Sequence, residues 1–371
     1  MKNSRTELIL DIGSASVGAC VATFTKGEKI AMHLVQRVAI QNDSGDAVGG
    51  IQTLALQALK KALDTVVPTT RLDRVRVVFA APWYASEIKV VLSESQKPLK
   101  ITQATVSHAL KTERLENSRN RRTGRHPLES VVSQIYVNGY LTTLHSPVQG
   151  TELKAHLYES EADSAFVQGV TELIKSPFPH THIDFQTFPF VAFSMMRATR
   201  DEENFTILDI GGEITDCVIG DRGALSFMSS FPKGTRSFVR EIAGTGSITD
   251  ALSRLTLFTR GELSPEQTEV FSKVFRGASA SWIKGYERVI ELARGSTPIP
   301  RTIFLMADKE ALPWFEKVFS LQVGNSLVNT VLVTPNFFEK HITLEKGATH
   351  DSFLSIEALF FSVNDGEISK M

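Results

Sequence analysis

The chain has 371 residues, enough for two or three domains with sizeable cores. Its 40 basic and 41 acidic residues leave a formal charge of −1, which excludes an overall field for nucleic acid or an anionic membrane. Two cysteines exclude a disulfide scaffold and fit a reducing cytoplasm. Met1–Thr6 is short and polar, and no apolar run reaches the roughly 18 residues of a membrane span, so neither a signal peptide nor a transmembrane helix is expected.

The first predicted element is a hairpin, Glu7–Phe24. A buried strand, Leu8-Ile9-Leu10, runs into Asp11-Ile12-Gly13; Ser14, Ala15 and Ser16 follow, and the chain returns through Cys20. After the turn Lys26-Gly27-Glu28, Ile30–Ile40 reads as a third strand. Helical spacing of Leu54, Leu56, Leu59, Ala62 and Leu63 predicts a helix over Gly50–Val67, ended by Pro68. Val75–Ala80 is a continuous apolar run, as in a strand buried on both faces. The start is therefore β-β-β-α-β.

From Pro82 the pattern changes. Ile88, Val90 and Leu92 alternate, a helix is predicted near Gln103–Glu116, and Val131–Val137 and Leu153–Glu159 read as strands. The polar stretch Asn117–Pro127 carries Arg119, Arg121, Arg122 and Arg125. It reads either as a solvated connection or as a contact for an acidic partner segment or anionic lipid. No aromatic residue interleaves the arginines, which argues against single-stranded nucleic acid. Ser160–Ile174 then reads as a helix, Ile183–Thr187 as a strand and Phe188–Arg197 as a helix.

Residues 205–216 form a second hairpin: Phe-Thr-Ile-Leu-Asp-Ile-Gly-Gly-Glu-Ile-Thr-Asp. A strand ending in an Asp, a glycine turn and a returning strand expose backbone N–H groups that suit a phosphate, with the Asp placed for its metal. Asp209-Ile210-Gly211 repeats Asp11-Ile12-Gly13, and Cys217 falls on the returning strand as Cys20 does. Two copies about 200 residues apart suggest two related halves, each aiming a hairpin at one cleft. Beyond them, helices are predicted at Phe238–Ala243, Ser247–Phe258, Pro265–Ala293, Leu312–Phe319 and Phe353–Phe361, and strands at Thr302–Met306 and Val328–Val333.

These paired hairpins resemble the superfamily of actin, heat-shock chaperones and sugar kinases, and within it FtsA- and PilM-like proteins. Asp209–Asp216, Phe231-Pro232-Lys233-Gly234 and Gly246–Leu257 carry the resemblance, with the order of elements between the hairpins. It implies an α/β fold: duplicated actin-like (RNase H-like) half-domains around a cleft, with a small α+β inserted domain. The implied organisation is 1–81 and 159–203 for the first half-domain, 82–158 for the insertion and 204–350 for the second half-domain. Residues 351–371 would form a closing helix that returns to the first half, and a polar tail. ATP and Mg²⁺ are the implied ligands. Their candidate residues are Asp11, Gly13, Ser14 and Ser16 on one side and Asp209, Gly211, Gly212, Glu213 and Thr215 on the other, with Asp11 and Asp209 toward the metal.

Three departures weaken the expected chemistry. Glu213 stands where relatives place a small residue, and its charge would repel phosphates unless it turned aside to help hold Mg²⁺. Ile303–Lys309 lacks the glycine pair that lets adenine lie on the backbone. Phe188-Pro189 stands where some relatives have a water-positioning Glu before Pro, so no catalytic residue is assigned. The resemblance thus implies a cytoplasmic scaffold acting through protein partners and self-association, reaching the inner face of the membrane only through them. Bacterial cell division is the first expectation and PilM-like type IV pilus assembly, in which a groove captures a peptide of a membrane partner, the alternative. A sugar or acid kinase ranks third, for want of a kinase signature.

Overall fold

The computed structural model describes residues 4–40, 48–66, 71–118, 123–142, 144, 146–322 and 328–364. The chain opens with β1 (Ser4–Ile12), β2 (Ser16–Thr25), β3 (Ile30–Ala39), α1 (Val48–Val66) and β4 (Arg74–Phe79). There follow β5 (Tyr84–Ile101), α2 (Gln103–Ser118), β6 (Arg125–Val137), β7 (Tyr140–Leu141), β8 (Val148–Asp163), α3 (Ser164–Lys175), β9 (His182–Thr187) and α4 (Phe188–Thr199). The second hairpin is β10 (Phe205–Ile210) and β11 (Thr215–Asp221), continued by β12 (Ala224–Phe231), α5 (Thr235–Ala243), α6 (Ile248–Arg260) and α7 (Pro265–Arg294). The chain closes with β13 (Thr302–Ala307), α8 (Leu312–Gln322), β14 (Asn329–Leu332), β15 (Ile342–Leu344) and α9 (Ser352–Asn364).

Two of the sheets repeat one plan. In the first, the order β3-β2-β1-β4-β9 has antiparallel contacts across β1, β2 and β3 and parallel contacts across β1, β4 and β9. In the second, β12-β11-β10-β13-β14 has the same order and the same directions. The duplicated α/β architecture expected from the hairpins is thus present. The first sheet also has a sixth strand, which the sequence did not show, because β15 pairs in parallel with Ile30–Met32 of β3. A three-residue strand carries too little periodicity to be read, and its partner lies some three hundred residues away.

The third sheet, β5-β8-β6-β7, is antiparallel and occupies Tyr84–Asp163 with α2. Its strands run longer than the apolar alternation predicts. In particular, Ser160–Asp163 stays in β8 and does not begin the helix. Asp163 is the reason: its carboxylate accepts from the Phe166 N–H at 2.9 Å and caps α3, fixing the helix start at Ser164. Arg119, Arg121 and Arg122 lie outside the described residues; Arg125 opens β6 with its Nε 3.6 Å from Glu161.

The pleat decides what each sheet shows to its neighbours. Leu8, Leu10 and Ile12 pack with α1 and α3, while Ile9 and Cys20 pack on the opposite face with α4 and α9. Likewise Leu208 and Ile210 pack among α5–α8, while Phe205 and Ile207 face α4 and α9. The two helices therefore form a middle layer shared by both sheets. By the period of two, Asp11 follows Ile9 and Asp209 follows Ile207, so both carboxylates belong to the inner face.

Candidate functional site

Where the two hairpins meet, side chains that sequence reading did not single out surround Asp11. Its Oδ2 lies 2.8 Å from Arg37 Nη2 of β3. Arg37 also donates to Ser16 Oγ at 3.0 Å and to both oxygens of Asp351, at 2.7 and 3.0 Å. Asp351 in turn accepts from the Phe353 and Leu354 N–H groups at 3.0 Å each, capping α9. Arg37 thereby ties the closing helix to the first hairpin.

The two acids share Arg37 unequally. The bidentate guanidinium and the helix amides hold the Asp351 carboxyl below its usual range despite its burial. Asp11 is raised to about 6, because burial outweighs its single contact with a cation that Asp351 also engages. Arg37 itself stays charged, since the two carboxylates more than offset its burial.

Among the described residues no cation forms an ion pair with Asp209 of the second hairpin. Asp209 is buried, and its carboxyl is pushed well above the usual range by burial first, then by Asp216 and Asp11. Asp216 is pushed up to about 7 by burial, opposed by the Tyr84 hydroxyl that donates to it at 2.9 Å. Asp308, just past β13, is raised by burial and lowered by Arg37. Glu357 of α9 is fully buried with both carboxylate oxygens lacking a hydrogen-bond partner, and burial raises it well above the carboxylate range.

The turns touch each other directly. Ser14 Oγ accepts from the Gly212 and Glu213 N–H groups, at 3.1 Å each. The Gly13 and Gly211 amides close their own turns on the Ser16 and Ile214 carbonyls, both at 3.0 Å. Thr215 is buried and donates to the Lys233 carbonyl at 2.6 Å, bracing the turn. Glu213 holds Arg240 of α5 through both carboxylate oxygens, at 2.9 and 2.5 Å. Phe188 is buried at the start of α4 with its ring 5.2 Å from that of Phe353. The sequence-predicted residues are thus gathered at one junction. Arg37, Asp351, Tyr84, Arg236 and Glu357 join them without having been expected. A signal existed for one: Glu357 is the lone acid in Phe353–Phe361.

A phosphate and its magnesium do not fit these residues as they stand. The Gly212 and Glu213 amides have an acceptor in Ser14. A Cβ at Gly212 would come within 2.7 Å of Ala15 Cβ, so the turns are in contact. Asp11 is occupied by a guanidinium. Among the described residues no set of three or more His, Cys, Asp or Glu side chains is arranged to hold a metal ion.

Two sheets of one repeated plan, joined through a shared helix layer with their Asp-x-Gly turns in contact, define the actin-like ATPase fold. Over 96% of its length the chain is similar to 98% of a chain of the PilM–PilN type IV pilus biogenesis complex, with 16% identity and a TM-score of 0.65. It also matches a Bacteroides thetaiotaomicron protein with actin-like ATPase fold and unknown function. There the identity is 9%, the TM-score 0.41 and the coverage 96% of each chain. The ethanolamine utilization protein EutJ from Carboxydothermus hydrogenoformans shares 13% identity with a TM-score of 0.42, over 97% of this chain and 90% of that one. No family model and no curated protein matches the sequence.

Proposed function

We propose that this protein is a non-enzymatic adaptor of the PilM kind, which works by binding protein partners during type IV pilus assembly. The observation that carries the reading is the likeness to the PilM–PilN complex along nearly all of both chains. Sequence resemblance ranks cell division first; this likeness moves pilus assembly ahead of it. Two features support a role through partners. Edge strand β5 exposes Val90 and Leu92 on one face, apolar side chains of the sort a protein partner covers. Among the described residues no helix is long and apolar enough to cross a membrane, so attachment to the envelope would run through a partner.

The test is an in-frame deletion in the source organism, with surface pili and septation both scored. Loss of pili in normally dividing cells is the expected result. Filamentous, undivided cells that still carry pili would return the protein to division. A Val90→Glu, Leu92→Glu double variant, complemented into the deletion, should fail to restore pili while folding as the wild type does.

A further inference from the structure

We infer that this chain closes its cleft with its own side chains, the Ser14 hydroxyl standing where a phosphate oxygen would and the Arg37 guanidinium where a metal would. Ser14 and its two donors lie 198 and 199 residues apart in sequence, and Ser14 is only 1% exposed. Two successive N–H groups converging on one oxygen is the geometry by which a backbone nest grips an anion. Here the oxygen is the protein's own. No gap separates the turns, since a Cβ at Gly212 would also meet the Ala15 backbone nitrogen at 3.1 Å.

A second clasp lies beside the first. Arg236, at the start of α5, donates through Nη2 to the Ala15 carbonyl at 3.0 Å and to the Ile40 carbonyl. Its own N–H holds the Gly212 carbonyl at 2.8 Å, so the guanidinium and the second turn move together. On the other side of Ser14, Arg37 bridges Asp11, Ser16 and Asp351. A nucleotide would have to displace Ser14 from both amides and part the Arg236 clasp. A divalent cation would have to displace a guanidinium that Asp351 holds in place. The closed arrangement therefore stands on protein contacts alone, and partner binding is not linked to nucleotide.

The experiment titrates the full-length protein with a non-hydrolysable ATP analogue and Mg²⁺ by calorimetry, and repeats thermal unfolding with and without EDTA. No saturable binding is expected up to about 1 mM nucleotide, with an unchanged unfolding midpoint. Magnesium-dependent binding with a dissociation constant below about 100 μM would overturn the inference. Ser14→Ala leaves two amides without their acceptor and should lower the midpoint by about 2–4 °C; an unchanged midpoint would count against the latch. If Ser14→Ala does not fold, the wild-type titration alone decides.

Discussion

The two hairpins are copies in backbone and opposites in charge. In the first sheet Asp11, Gly18 and Arg37 lie opposite one another across β1, β2 and β3. The matching row of the second sheet is Asp209, Asp216 and Ser230. The first row balances its acid with a cation, and Gly18 makes room for it, since a Cβ there would meet Arg37 Nη2 at 2.8 Å. The second row sets two carboxylates side by side and relieves them by burial-driven protonation and the Tyr84 hydroxyl. One fold has thus handled the same buried aspartate in two ways: by pairing it, or by keeping it neutral.

The largest expected effect breaks the first row. Arg37→Met leaves Asp11 and Asp351 buried without their cation and should cost about 3–5 kcal/mol in denaturant unfolding. Asp209→Asn, which replaces a carboxyl whose protonated form burial already favours, should stay within about 1 kcal/mol of wild type. Equal losses would erase the contrast. Next comes Gly18→Ala, expected to cost about 1–3 kcal/mol because Arg37 is pinned by three partners and cannot yield. Gly13→Ala, whose Cβ would sit 3.4 Å from the Ser16 carbonyl, should change stability by less than about 1 kcal/mol.

The pH dependence follows from the acids raised in the folded state, Asp11 to about 6 and Asp216 to about 7, both from 3.8. Such groups bind more protons folded than unfolded, so their stabilising contribution is full below about pH 4 and is lost as pH rises through 6 and 7. Urea unfolding free energy should therefore fall as the pH is raised across that window. Asp216→Asn should make the fall shallower between about pH 4 and 6, where Asp11 still contributes, and remove it between about 6 and 7. A stability that rises from pH 4 to 7 in both proteins would refute the protonation scheme. The smallest effect belongs to the half-exposed pair outside the rows. Glu213→Gln should cost about 0.2–1 kcal/mol, and less at high salt.

Much of the fold was legible because its signals are local. The repeated Asp-x-Gly turns and the buried apolar strands that run into them mark the duplicated hairpins. Ser264 and Gln267 form a capping box that, with Pro265, marks the start of α7. What escaped the sequence is non-local. Arg37 and Asp351 are 314 residues apart, and nothing in either neighbourhood announces the other. Strand β15 is three residues long and exists only because β3 offers an edge. The inward set of Asp11 and Asp209 could be read from period two; the contacts of Ser14 with the Gly212 and Glu213 amides and of Arg37 with Asp11 could not.

The most direct measurement is hydrogen exchange at the individual Gly212 and Glu213 amides, in wild type and in Ser14→Ala, each with and without Mg²⁺ and ATP. If Ser14 fills the nest, both amides are protected in the wild type to the same degree with or without nucleotide, and Ser14→Ala accelerates these two sites far more than the β10 and β11 ladder. Rapid exchange in the wild type, or protection that develops only when Mg²⁺ and ATP are added, would contradict the account and return the cleft to a nucleotide.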